Sequence, residues 1–82
     1  MTKYQYKKLT QDNVVMLTVT PKPDWQDFGE FVAQFISQEN GKIIEQDCGM
    51  DRHQVRYDVA GERLILQYEH YTDSIWIEQE HV

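Results

Sequence analysis

Cysteine is nearly absent from this sequence. Cys48 is the single one in 82 residues, so no disulfide can form within the chain. That favours a reducing compartment, because small domains of oxidising compartments lean on cystine bridges where a large core is out of reach. Glycine is scarce as well: four residues stand singly, and no glycine-rich run exists to cradle a phosphate. No apolar stretch approaches the roughly 20 residues that a membrane-crossing helix needs. The opening MTKYQYKKL carries bases but no apolar run behind them, so it does not read as a secretory leader. Bases are outnumbered, eight against fourteen acids, for a net charge of −6. A surface of that sign repels nucleic-acid phosphates and anionic lipid, and neither is an expected partner. Together these absences predict a cytoplasmic protein without membrane attachment.

Hydrophobic residues are not lacking. They make up 40% of the chain and include five Tyr, three Phe and two Trp, enough for a packed interior and against disorder. Eighty-two residues allow one domain, 1–82, with no room for a second core. A chain this short buries roughly 60–65% of its unfolded surface, and its stability is expected on the order of 5 kcal/mol.

The stretch DWQDFGEFVAQFISQENG, residues 24–41, has helical spacing. Trp25, Phe28, Phe31, Val32, Phe35 and Ile36 recur every three or four residues and share a face, with Gln26, Asp27, Glu30, Gln34 and Glu39 on the wet side. Asp24 suits the N-cap, and Gly41 is placed to end the helix in a left-handed turn. Elsewhere the period is two. Residues 3–9 read as an edge strand guarded by lysines, and 14–20, VVMLTVT, as a strand apolar on both faces. Pro21 and Pro23 stop it. Residues 42–48, 52–59, 62–69 and 74–80 follow as strands, with a turn or bulge at 48–51 and a tight Ala60-Gly61 hairpin. The predicted class is α+β, in the order ββαββββ: an antiparallel meander sheet with one amphipathic helix packed on one face.

One helix covers only part of a six-stranded sheet. Val14, Met16, Ile65 and Trp76 fall on the other face and call for a companion, most simply a second copy of the chain. A strongly curled sheet that hides them itself is the alternative. Trp76 would anchor such a contact, since aromatics dominate interface energetics. The expected function is therefore a non-enzymatic protein-interaction module that self-associates as a homodimer through the helix-free face. An acidic mimic that binds a basic partner protein is the alternative from a different class.

Candidate chemistry is thin. Cys48 and His53 lie five residues apart across a turn, a spacing that can bring a thiol to its base, with Asp51 to orient His53 and Gly49 to offer backbone access. No wider pattern accompanies them. The simpler reading makes Cys48 a strand-end residue and His53 an edge residue, so a small enzyme using this pair ranks behind the interaction module. Cys48, His53, His70 and His81 lack the tight paired spacing of structural zinc ligands, and no metal or cofactor is predicted. The loop EHYTDS, 69–74, gathers His70, Tyr71 and Asp73 into a candidate recognition patch, although Asp73 or Ser74 can equally cap the turn. Tyr4, Tyr6, Arg52, Arg56 and Arg63 resemble a sheet-surface RNA binder only weakly. Cross-strand ion pairs with Asp58 and Glu69 explain those arginines more simply.

Overall fold

The computed structural model describes residues 3–24, 26–49 and 51–80. Period-two patterning and β-branched content draw these into strands β1 (Gln5–Gln11), β2 (Val14–Thr20), β3 (Lys42–Cys48), β4 (Arg52–Val59), β5 (Glu62–Glu69) and β6 (Ser74–Gln79). A single helix, α1 (Phe28–Gln38), stands between β2 and β3. Every pairing is antiparallel, and the strands lie in the order β1-β2-β6-β5-β4-β3. The chain thus has a small α+β fold whose last four strands run back and forth until β6 meets β2.

The helix begins later than its spacing suggests. Asp24 does cap: its Oδ1 accepts the backbone N–H groups of Gln26 at 2.8 Å and Asp27 at 2.9 Å. The turn it caps precedes α1, whose own N-cap is Asp27 without a side-chain bond. Trp25, read as the first member of the helical stripe, lies outside the described residues, as do Met50 and His81. At the other end the expectation for Gly41 is corrected. Asn40 holds the left-handed conformation, φ 56°, while the Gly41 N–H bonds to the Ile36 carbonyl at 2.8 Å and the Asn40 N–H to that of Ser37 at 3.2 Å. This is a Schellman ending with asparagine in the strained position. Gly41 is small for another reason: a Cβ there would stand 3.2 Å from Tyr57 Cδ2.

The core is an aromatic ladder. Phe31 and Phe35 are fully buried, and their rings meet Tyr4 and Tyr6 of the N-terminal segment and Tyr57 of β4 at centroid distances of 5.1–6.1 Å. Phe28 packs on Tyr68 of β5 at 4.8 Å. Such ring pairs add about 0.5–1.5 kcal/mol each beyond burial. Gln34, assigned from its spacing to the wet face, is half-buried and clamps the chain ahead of β1. Its Oε1 accepts the N–H groups of Lys3 and Tyr4, both at 3.0 Å, and its Nε2 donates to the Tyr4 carbonyl at 2.6 Å.

Two turns deserve their residues. Ala60 (φ 52°) and Gly61 (φ 84°) are closed by the Val59–Glu62 pair, the type I′ geometry that suits strand twist. The turn expected at 48–51 joins β3 to β4, where the Gly49 N–H bonds to the Arg52 carbonyl at 2.8 Å. A separate bulge lies inside β3, where register shifts between Ile43 and Glu45 and Ile44 is left 43% exposed. Among the described residues no helix is long and apolar enough to cross a membrane.

Candidate functional site

Strand register determines what the helix-free face carries. Met16 and Trp76 are directly opposed across β2 and β6, and Leu9 of β1 opposes Met16, so three apolar side chains form one row. In the next row Val14 and Ile65 flank Glu78. Leu9 is 58% exposed, while Val14, Met16, Ile65 and Trp76 are each partly covered.

A polar network fixes the indole. Trp76 Nε1 donates to Glu78 Oε1 at 2.9 Å, two residues along the same strand and therefore on the same face. The second oxygen of Glu78 accepts Gln67 Nε2 at 2.8 Å, and Gln67 Oε1 accepts Gln54 Nε2 at 3.1 Å. Gln67 is 5% exposed, and these two bonds satisfy its buried amide. Beyond it the face is ionic. Arg56 meets Glu45 at 3.0 Å and Glu80 at 3.2 Å, and Arg63 meets Asp58 at 3.1 Å and Glu80 at 3.5 Å. The bases of this face, Lys7, Lys42, Arg52, Arg56 and Arg63, stand against Glu45, Asp47, Asp58, Glu69, Glu78 and Glu80, so it is close to neutral. Most of the −6 therefore lies on the helix side and in the turns.

The second candidate lies on the helix side. Cys48 and His53 are a direct cross-strand pair of β3 and β4, with Sγ 3.8 Å from Nε2. They line a cleft of about 200 Å³ with Phe28, Gly29, Val32 and Val55. The imidazole lies parallel to the Tyr68 ring at 5.9 Å and tilted against Phe28 at 5.1 Å. Burial between these rings pushes His53 below its ordinary value, which favours the neutral imidazole. Cys48 itself is exposed.

The profile of the family described as "Protein of unknown function (DUF3630)" matches residues 4–82. The chain belongs to the DUF3630 family. No curated protein and no solved structure matches it.

In this DUF3630 chain the 69–74 loop stands apart from the sheet-face row. His70 N–H donates to the Asp51 carbonyl at 2.8 Å, which ties the loop to the start of β4. Asp73, at φ 55°, accepts the Tyr68 hydroxyl on Oδ1 at 3.2 Å and has Lys22 at 3.8 Å. Burial, then the Asp73 carboxylate, pushes the Tyr68 phenol up. The Ser74 hydroxyl donates to the Thr72 carbonyl at 3.5 Å. Only Tyr71, 80% exposed, is offered outward as a large apolar surface. Among the described residues no three His, Cys, Asp or Glu side chains gather as metal ligands would.

Leu9, Gln67 and Glu78 complete the sheet-face site without having been singled out from the sequence. The available signals were the Trp76-x-Glu78 spacing, which puts both on one face, and the parity of Leu9 with Lys7 on β1.

Proposed function

We propose that the chain is a non-enzymatic protein-interaction module that pairs with a second copy of itself through the helix-free sheet face, with α1 covering only the other. The observation that carries this is Trp76, whose indole is held by Glu78 beside the apolar Met16 and Leu9. An aromatic anchor fixed before contact loses little rotamer freedom on binding. The charge pattern favours a like partner. Two copies carrying −6 repel wherever acids are in excess, but a face that pairs its own arginines and acids can meet its twin without a clash. Six strands about 4.8 Å apart and about 23 Å long give a flat area of roughly 600 Å². Against the roughly 800 Å² per partner of a standard interface, that calls for a dimer that uses the whole face. A reducing, cytoplasmic setting belongs to the same proposal, since the one cysteine is exposed.

Sedimentation equilibrium across a wide concentration range tests it. The expected result is a monomer–dimer equilibrium that Trp76→Ala and Met16→Glu each shift toward monomer while the far-ultraviolet circular dichroism is kept. A wild-type chain that stays monomeric at millimolar concentration overturns the proposal.

The 3.8 Å approach of Cys48 to His53 supports a second reading, a thiol nucleophile with an imidazole base. Its signature is alkylation of Cys48 that is faster than for a free thiol and is slowed several-fold by His53→Gln. Equal rates in the two proteins would remove it.

A further inference from the structure

The helix also leaves part of its own side of the sheet bare. Eleven helical residues span about 16 Å. Strands of seven and eight residues run about 23–26 Å. The shortfall shows as a cleft of about 290 Å³ walled by the β1–β2 turn, β5 and β6, with no residue of α1 among its lining. Its floor is Val15, Leu64 and Ile77, helix-side residues whose neighbours along the strands belong to the core. Asp12 rises from the turn on one side and Glu62 from the β4–β5 hairpin on the other. Glu62 accepts the Gln79 amide at 2.7 Å. Among the described residues no Lys or Arg forms an ion pair with either acid.

We propose that this cleft is a second binding site, and that its occupant is a lysine- or arginine-bearing segment of a partner protein. Those side chains carry an alkyl stem and a cationic head, which match an apolar floor and an acidic rim in the same order. Other occupants fit poorly. A carboxylate would meet two acids that have no resident cation, and a purely apolar group would strip water from them and return nothing. The size agrees, since about 290 Å³ lies just under the usual range for small-molecule sites and holds one or two side chains. The net charge of −6 adds long-range attraction for a basic partner. This site lies on the side opposite Trp76 and does not depend on whether the sheet face pairs.

The test titrates the full chain with a synthetic peptide of alternating leucine and lysine and follows methyl resonances by nuclear magnetic resonance. The expected result is movement of the Val15, Leu64 and Ile77 methyls, with Met16 unaffected. The double variant Asp12→Asn, Glu62→Gln should weaken binding about three- to tenfold. Asparagine tolerates the positive φ at position 12 and glutamine can keep the bond to Gln79, so both changes remove charge with little disturbance of the fold. Raising salt to about 0.5 M should weaken it further. Unmoved methyls at those three residues, shifts that survive the double variant, or equal binding of a leucine–glutamate peptide would each overturn the proposal.

Discussion

Asn40 and Gly41 divide two tasks that neighbouring residues rarely separate. Asn40 takes the left-handed backbone and Gly41 the close approach to β4. Spacing alone favoured glycine for the turn, because glycine adopts positive φ without strain. Which of two adjacent residues occupies that position depends on where the last helical turn closes, a matter of one residue in the hydrogen-bond count. Gly41→Ala is expected to cost about 1–3 kcal/mol by overpacking against Tyr57, read from the urea midpoint. Ala60 shows the converse. It holds φ 52° in a type I′ turn that favours Asn-Gly, so Ala60→Asn should raise stability by about 0.5–1 kcal/mol in the same measurement.

At the scale of elements, the helix and β1 are joined by more than apolar contact. Tyr6 and Lys8 both bond to Glu39 at the end of α1, just as Gln34 clamps Lys3 and Tyr4. Burial and then the Glu39 carboxylate push the Tyr6 phenol up to about 12. Glu39 is pushed up by its own burial, but the bonds from Lys8 and Tyr6 outweigh this and leave it below its ordinary value. Gln34→Ala would strand the Tyr4 N–H and should cost about 1–3 kcal/mol, with faster amide exchange at Tyr4 than in β2. Between β4 and α1 the electrostatics turn on His53. Its folded value lies below the ordinary 6.5, so as pH falls below 6.5 the unfolded chain takes up a proton that the folded chain resists. Stability present above that pH is lost as the folded value is approached. His53→Gln should flatten this part of the stability profile, which denaturant melts between pH 5 and 8 would resolve. An unchanged slope would show that His53 is not the group responsible.

For the whole molecule, the decisive feature is the unequal treatment of the two sheet faces. One holds the aromatic core. The other mixes an apolar row with ion pairs, and a contact there should respond to Trp76→Ala through the loss of a fixed anchor rather than through unfolding. Heat denaturation of Trp76→Ala within a few degrees of the wild type, together with a monomer in sedimentation, is the expected pair of results. A large drop in melting temperature would mean that Trp76 serves the monomer's own packing.

Alternation within 52–59 and 62–69, the β-branched run 14–20, the short connections between the last four strands and the three- and four-residue spacing of Phe28 to Ile36 were enough to read an antiparallel sheet with a single helix, because strand and helix periods are local and survive without knowledge of neighbours. Alternation also put Met16, Ile65 and Trp76 together on the face away from the helix stripe. The sequence could not show that Glu78 and Gln54 would satisfy a buried Gln67, since those bonds need β4, β5 and β6 in a fixed register. It could not show that Cys48 would face His53 rather than turn from it, or that α1 would stop short of Val15 and Ile77. Periodicity sets which face a residue takes. Only strand pairing and the finite length of the helix decide what stands beside it, because those distances are fixed by residues far away along the chain.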